Sequence, residues 1–188
     1  MSGFESLPAD LPEPEDDGAA RHLPGMAMPS VALPATVGGV VDLGTPRPGR
    51  TILFVYPATG EPGVPPPPGW DLIPGARGCT PEACGFRDHH GELAQLGADV
   101  YGISAQSTAT QQEAATRLGL PFPLLSDTGH ELARRLGLPT FEVDGRRLYR
   151  RLTIVVRDAV VEHVFYPVFP PDSHAAQVLG WVRHAPEK

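Results

Sequence analysis

The stretch Gly78–Asp88 reads GCTPEACGFRD and contains both cysteines of the 188-residue chain, five positions apart. Thr80 belongs to the residue types that cap helices through a side-chain oxygen. Pro81 suits the first helical position, since its ring fixes a helical φ and its missing N–H would have no partner there. The stretch therefore predicts the start of a helix, with Cys79 at or just before its N-terminus.

The residues that follow continue a helical pattern. Ala83, Phe86, Leu93 and Leu96 recur at the spacing of one helix face, and Gly97 is a typical stop signal. We expect these apolar side chains to face the core and to hold the two cysteines against the body of the fold.

The position of Cys79 favours a reactive thiolate. Unpartnered backbone N–H groups and the positive end of the helix dipole both stabilise negative charge at a helix start, and the thiolate is the nucleophilic form of cysteine. Arg77, two residues upstream, adds a positive charge, and Glu82 lies in the first turn, where a carboxylate complements the dipole. The sequence therefore predicts that Cys79 is a nucleophile.

The spacing of Cys79 and Cys84 limits what the pair can do. Five residues on a regular helix separate the Cα atoms by about 8.7 Å, whereas a disulfide needs roughly 4.4–6.8 Å. Either the thiols never meet, or the start of the helix unwinds when they do, and helix ends open at little cost in free energy. Two unrelated buried thiols are the plain alternative. A zinc site needs more ligands, and His89 and His90 are expected on a solvated helix face.

Composition excludes several classes of protein. A hydrophobic content of 41% suits one globular domain with tails, and the net charge of −7 argues against nucleic acid and anionic membranes as partners. We find no apolar run near the ~18 residues of a membrane span and no secretory signal at the start of the sequence. We therefore expect a cytoplasmic protein, and in that compartment a pair of cysteines is more often catalytic than structural.

We divide the chain into an N-terminal segment and one domain. Residues 1–22 are acidic and rich in Pro, Ala and Gly, which predicts a flexible segment, and residues 23–188 form the predicted domain. Within the domain, residues 58–78 form a proline-rich insertion that contains four consecutive prolines and Trp70. Because proline-rich loops are stiff, we expect either a fixed rim or lid beside Cys79, or a solvated loop with Trp70 pinned to the body.

Apolar runs and turn signals predict the remaining elements. Thr51–Pro57 is a continuous apolar run with β-branched residues, which indicates a buried central strand. Ser173 is predicted to cap the final helix, which carries Ala176, Leu179 and Val182. The other predictions are a hairpin around Gly38-Gly39, strands at 99–104, 122–125, 148–156 and 159–166, a hairpin turn at Asp144-Gly145, a helix from Ser107 to Gly119 and a helix ending at Gly137.

The motif at Gly78–Asp88 resembles the active-site motif of peroxiredoxins of the Q type, also called bacterioferritin comigratory proteins. The two-cysteine spacing and the Phe-Arg-Asp that follows occur together in that motif. The resemblance implies an α/β, thioredoxin-like fold whose mixed central sheet is flanked by helices, and the predicted order of strands and helices is typical of that plan. It also implies a thiol peroxidase with no metal and no cofactor, as a monomer or weak homodimer.

The resemblance assigns a role to each cysteine. Cys79 is the peroxidatic residue, which attacks hydrogen peroxide or an organic hydroperoxide and becomes a sulfenic acid. Cys84 is the resolving residue, which condenses with it to an intramolecular disulfide, and a thioredoxin- or glutaredoxin-like dithiol restores both thiols. The alternatives are a protein disulfide oxidoreductase on the same fold and a redox-sensing module without enzymatic activity.

The resemblance also points to residues around the cysteines. Arg151 matches the arginine that faces the peroxidatic cysteine, where a guanidinium favours the thiolate and binds peroxide oxygens. Glu82 matches an acid or amide that orients this arginine. Thr80, Glu82 and Tyr56 are the expected substrate-positioning residues.

One part of the motif differs from the family pattern. The family has a proline seven residues and a threonine three residues before the peroxidatic cysteine, where this chain has Leu72 and Ala76. Ala76 has no hydroxyl to bond a peroxide, which leaves Thr59 and Thr80 as candidate sources of that group. This departure is what favours the redox-sensing alternative.

Overall fold

The computed structural model describes residues 7–186. Within them the chain forms nine strands, four α-helices and one short 3-10 turn at Trp70–Leu72. The strands are β1 (Ala32–Pro34), β2 (Val40–Asp42), β3 (Arg50–Val55), β4 (Ala98–Ser104), β5 (Leu124–Ser126), β6 (Thr140–Val143), β7 (Arg146–Tyr149), β8 (Leu152–Arg157) and β9 (Val160–Phe165). The helices are α1 (Cys79–Gln95), α2 (Thr108–Leu118), α3 (Glu131–Leu136) and α4 (His174–His184). Over the same residues, the helices are all too short or too polar to cross a bilayer.

Within the described residues, five strands form the central sheet in the order β5-β4-β3-β8-β9. β3 lies in the middle, parallel to β4 and antiparallel to β8. All six of its residues are buried, as the unbroken apolar run predicts for a strand covered on both faces. The predicted α/β, thioredoxin-like fold with a mixed sheet is confirmed.

The two faces of the sheet pack against separate apolar layers. Phe54 and Tyr56 point toward α1 and α4, and the ring of Phe86 on α1 stacks on Phe54 with centroids 4.6 Å apart. Leu53 points the opposite way and packs with side chains of β8 and α3, because successive residues of a strand face opposite sides. The stack between Phe86 and Phe54 holds α1 on the sheet and so fixes the location of Cys79.

The predicted location of Cys79 at the start of α1 is confirmed, but the residue that caps the helix differs from the prediction. Gly78 is the N-cap, with a φ of 105° and no side-chain cap, and Cys79 is the first helical residue. The expectation that Thr80 caps the helix is wrong, because a glycine in the left-handed region turns the chain directly into the first turn. Pro81 still lies in that turn, where its missing N–H removes no helix bond.

Several predicted boundaries are confirmed. The Ser107 side chain accepts the N–H of Thr110 at the start of α2, and Gly119 ends that helix in the left-handed conformation. Asp144 and Gly145 connect β6 to β7, both with positive φ, as a two-residue hairpin turn requires.

The predicted strand at 148–156 is wrong, because it is two strands separated by Arg150 and Arg151. The backbone N–H of Arg150 bonds to the carbonyl oxygen of Pro139, 2.9 Å away, and so continues the β6–β7 pairing, whereas pairing with β3 in the central sheet begins at Leu152. This break takes Arg151 out of the regular strand pattern and lets its side chain reach α1.

Three smaller errors concern the ends and faces of elements. The strand predicted at 122–125 covers Leu124–Ser126 instead. Leu96 is the C-cap of α1 and is exposed, since the helix ends one residue before it. On α4, Ala175 and Val178 face the core and Ala176 faces solvent.

Residues 7–22 contain neither helix nor strand, and several of them contact the body of the protein. Ala20 is buried, and the hydroxyl of Tyr166 donates to Oδ1 of Asp17 over 2.9 Å. The predicted flexibility of residues 1–22 stays a prediction, and residues 1–6 lie outside the described part of the chain.

Candidate active site

Both cysteines lie on α1 as free thiols. Cys79 is buried, with 4% of its surface exposed, and its Sγ lies 3.7 Å from the carbonyl oxygen of Ala76. Cys84 is half-buried in the second turn of the same helix. Because the helix is continuous from one cysteine to the other, the two sulfurs cannot bond until that part of the helix changes shape.

Arg151 is held directly against the Cys79 thiol. Its side chain is 1% exposed, and Nη2 donates to Sγ of Cys79 over 3.1 Å. Nη1 donates to Oε2 of Glu82. Three successive carbonyl oxygens of the loop before α1 accept further bonds from the guanidinium, namely those of Gly75 (3.3 Å), Ala76 (3.2 Å) and Arg77 (3.2 Å). The planar guanidinium is therefore fixed on several sides at once.

Glu82 is the buried counter-charge of Arg151. One carboxylate oxygen accepts from Arg151, and the other has no hydrogen-bond partner within residues 7–186. Burial raises the pKa of the Glu82 carboxyl to about 7, and the charge of Arg151 opposes that rise. The structure thus brings together Cys79, Arg151 and Glu82, three residues that the sequence predicts for one site.

Burial raises the pKa of the Cys79 thiol, and the adjacent guanidinium of Arg151 opposes the rise. The charge of Glu82 acts in the same direction as burial. The prediction from the helix start considers only groups that favour the thiolate, so it omits the cost of removing that thiolate from water. The thiolate consequently depends on Arg151 more strongly than the position of Cys79 alone suggests.

A cavity of about 90 Å³ lies beside Cys79. Cys79 and Thr80 line it from the start of α1, and Gln106 lines it from the loop after β4. The proline-rich insertion supplies an apolar wall made of Val64–Pro67 and Trp70. The cavity gives a small molecule access to the thiol, with an apolar side that suits an alkyl group.

The proline-rich insertion, residues 58–78, is anchored at both ends of its exposed part. At the first end, the N–H and the hydroxyl of Thr59 donate to Oε1 of Gln106, over 3.0 Å and 3.1 Å. At the other end, Trp70 is buried and its ring lies 6.2 Å from that of Phe141 on β6. The apolar wall between these anchors is therefore held in place beside Cys79.

The structure shows what surrounds Ala76 and Leu72, the two positions at which the sequence differs from the family motif. The side chain of Ala76 is buried with Trp70 and Leu148, so only its carbonyl group faces the thiol. Leu72 is 79% exposed on the insertion. Of the candidate hydroxyls, Thr59 and Thr80 both line the cavity, and the Thr59 hydroxyl already donates to Gln106.

Arg87 connects the motif at Gly78–Asp88 to the rest of the fold. This role is not predicted from the sequence. Arg87 lies one turn beyond Cys84, and the two side chains hydrogen-bond. Its other donors reach the carbonyl oxygen of Leu118 at the end of α2, over 2.8 Å, and Asp88, over 2.9 Å. The Phe-Arg-Asp sequence therefore ties α1 to α2 close to the second cysteine.

Tyr56, the residue that follows β3, is buried in the core. It belongs to the apolar layer that also contains Cys79, and it does not line the cavity. Burial raises the pKa of its hydroxyl. Its substrate-positioning role stays a prediction.

The sequence contains information that could locate some groups of the site, but not others. Gln106 follows the carboxyl end of a parallel strand, where open α/β sheets bind ligands, so its position could be predicted. The carbonyl groups of residues 75–77 have no signal, because every residue type carries a carbonyl group.

The zinc alternative finds no support in the surroundings of the two histidines. Nδ1 of His89 pairs with Oε1 of Glu92 at 3.0 Å, and the ring of His90 lies 5.9 Å from that of Phe122. Across residues 7–186, no group of three or more His, Cys, Asp or Glu side chains has the arrangement of a metal site.

The similarity of this chain to known proteins covers most of its length. The family model described as Redoxin matches residues 23–179. The chain is 29% identical over 155 residues to "Peroxiredoxin Q, chloroplastic" of Oryza sativa subsp. japonica, which covers 82% of this chain and 64% of that protein. The chain thus spans a little under two thirds of that relative. It is 30% identical over 159 residues to "Putative peroxiredoxin bcp" of Coxiella burnetii, covering 83% and 95% of the two chains.

A solved structure gives the same likeness in three dimensions. The crystal structure of peroxidoxin BcpB from Mycobacterium tuberculosis matches with a TM-score of 0.70 and 29% sequence identity. The match covers 88% of this chain and 100% of that one.

Proposed function

Because this chain belongs to the Redoxin family, and within it to the peroxiredoxins of the Q or bcp kind, we propose that it is a thiol peroxidase for hydrogen peroxide and organic hydroperoxides. One observation carries the proposal. The Cys79 thiol lies in the wall of a cavity, with Nη2 of Arg151 3.1 Å from its sulfur. Peroxide reduction needs a nucleophile and a fixed positive donor at one point, and the site supplies both.

In the first half of the reaction, the Cys79 thiolate attacks one oxygen of the peroxide. The O–O bond breaks, the sulfur becomes a sulfenic acid, and the second oxygen leaves with the bonding electrons and takes up a proton as water or an alcohol. Negative charge moves from sulfur to the leaving oxygen, and the guanidinium of Arg151 stabilises it there. Thr80 lines the same cavity, and we assign its hydroxyl to the bound peroxide.

In the second half, the Cys84 thiol attacks the sulfur of the Cys79 sulfenic acid. The S–S bond forms, and the hydroxyl group leaves with the thiol proton as water. A dithiol of the thioredoxin or glutaredoxin type then reduces the disulfide by exchange. One chain contains both cysteines of this cycle, which is compatible with a monomer or weak homodimer. Residence in the cytoplasm stays a prediction from the sequence.

The function is tested by stopped-flow fluorescence of the reduced protein, since Trp70 lines the cavity beside Cys79. We expect a sub-second change in emission on mixing with micromolar hydrogen peroxide, and another with cumene hydroperoxide. The change should persist in Trp181→Phe and disappear in Trp70→Phe, because Trp181 lies on α4. Slow oxidation by both peroxides, with fast reaction toward a protein disulfide, would select the disulfide oxidoreductase instead.

A second prediction concerns the shape of the oxidised protein. The Cys79–Cys84 disulfide requires loss of helix at the start of α1, so amide hydrogens from Cys79 to about Phe86 should exchange much faster in the disulfide form. Those of β3 should stay protected. The measurement is hydrogen exchange with mass spectrometry on reduced and peroxide-treated protein, with reversal by dithiothreitol as the control. Equal protection at the helix start in both forms of a verified disulfide sample would rule out the unwinding step.

A further inference from the structure

Residues 7–17, which we call the N-terminal arm, lie against the back of the active site. The arm precedes residue 23, where the Redoxin match begins. Glu13, Pro14, Glu15 and Asp17 line a cavity of about 320 Å³ together with parts of the loop before α1 and of the segment that contains Arg151. The arm therefore lies outside the residues that the family model matches, and it lies next to the groups that hold the reactive cysteine.

The arm contacts both ends of the loop Pro74–Gly78. At Gly78, a Cβ atom would overlap Cγ of Pro171 and would come within 3.0 Å of Cδ2 of Leu7. At Gly75, it would come within 3.7 Å of the ring of Pro14. The Leu7 side chain is thus packed against the N-cap of α1, and Pro14 is packed against the other end of the loop.

A hydrogen bond fastens the arm to the body. The hydroxyl of Tyr166, just after β9, donates to Oδ1 of Asp17 over 2.9 Å, and the N–H of Ala19 donates to the same oxygen over 3.0 Å. These bonds fix the end of the arm close to Arg150, which lines the same cavity.

The loop under the arm leads directly into the turn of α1 that has to change shape during the cycle. Its carbonyl groups at residues 75–77 hold Arg151, and Gly78 caps the turn that contains Cys79. When α1 unwinds for Cys84 to reach Cys79, the turn that Gly78 caps opens, and the side chains packed on Gly78 and on the loop before it restrict that opening. Side chains packed on the loop oppose that movement, because they lose their contacts when it opens.

We propose that the N-terminal arm holds this loop closed and so slows the resolving step, with Leu7, Asp17 and Tyr166 as positioning residues. The role rests on the proposed function. While the loop is closed, the Cys79 sulfenic acid waits for Cys84 and is open to a second peroxide. That peroxide transfers one oxygen to the sulfur, which becomes a sulfinic acid, and leaves as water or an alcohol. The arm therefore sets the ratio of sulfinic acid to disulfide at Cys79.

The test uses Tyr166→Phe, which removes only the fastening hydroxyl, and Leu7→Ala, which removes the contact at Gly78. Asp16→Asn is the matched control, because Asp16 lies on the arm and its ion pair with Arg21 is exposed. Disulfide formation is the second kinetic phase after mixing with peroxide. We expect it to be about fivefold faster in both arm variants, because losing one hydrogen bond or one small apolar contact changes a rate by about that factor. The first phase should change by less than about twofold, as for a surface substitution.

Two further readouts separate this role from a general loss of stability. At excess peroxide, the yield of sulfinic acid at Cys79, measured by peptide mass spectrometry, should fall in both arm variants and stay unchanged in Asp16→Asn. In the reduced Tyr166→Phe protein, residues 74–84 should exchange amide hydrogens faster while β3 keeps its protection.

The outcomes for the arm and for the function are distinct. A second phase and a sulfinic acid yield equal to those of Asp16→Asn would overturn the role of the arm and leave the peroxidase intact. Slower resolution in both arm variants would overturn it as well. A missing first phase in the unaltered protein would overturn the proposed function, and the role of the arm with it.

Discussion

Replacing Cys79 by serine is expected to reduce peroxide consumption to the uncatalysed rate. Serine is nearly the same size, so α1 and the bonds around Arg151 should persist, but its hydroxyl is far less nucleophilic than a thiolate. Consumption of hydrogen peroxide by the reduced variant, with a chemical dithiol as reductant, measures the loss.

Replacing Cys84 by serine should have a different effect. Cys79 stays at the helix start beside Arg151, so one equivalent of peroxide should still react at nearly the original rate. The product should be a trapped sulfenic acid, detectable with a dimedone-type probe, because the resolving thiol is gone. A Cys84→Ser protein without the first turnover, beside a Cys79→Ser protein that keeps it, would reverse the assigned roles.

Replacing Arg151 by methionine should slow the attack on peroxide by about 10²–10³-fold, the usual effect of losing one donor aimed at developing negative charge. The same change should raise the pKa of the Cys79 thiol, because Arg151 opposes the rise that burial causes. Both effects are measured together by the pH dependence of the first stopped-flow phase.

Arg150→Met is the matched control for Arg151→Met, since Arg150 is the neighbouring arginine and its guanidinium lies over the ring of Phe141, 5.9 Å from the centroid. It should change the rate little. Arg151→Met also leaves Glu82 buried without its partner, at a cost of about 3–5 kcal/mol, so Glu82→Gln/Arg151→Met is the second variant to compare. Equal slowing by the Arg150 and Arg151 replacements would contradict the assignment of Arg151 to the site.

Local pattern is enough to predict the framework of the site. Phe86 lies at helical spacing from Ala83 and Leu93 and is buried, and the apolar run of β3 lies in the middle of the sheet. The pair of cysteines on one helix could also be predicted, because Pro81 and a helical repeat of apolar residues both lie within a few residues of them.

The features of the site that the local sequence pattern does not predict depend on contacts between distant parts of the chain. Glycine and threonine are both residue types that cap helices, and in the structure Gly78 is the N-cap of α1. Pro171 and Leu7 pack so closely on Gly78 that a Cβ atom would not fit there. The raised pKa of Cys79 follows from burial, which depends on packing across the whole fold. The contacts of the N-terminal arm were unforeseen for a different reason, since an acidic segment rich in Pro and Gly has the composition of a disordered one.

The insertion beside Cys79 packs against β7 through a small apolar cluster, formed by Trp70, Ala76 and Leu148, apart from the two layers that cover the sheet. Residues that share few contacts affect stability nearly independently. Substitutions among the exposed prolines of the wall can therefore accumulate with little effect on the helix that carries Cys79 or on Arg151. Evolution, or an engineer, can alter which peroxides enter this site without rebuilding the chemistry that reduces them.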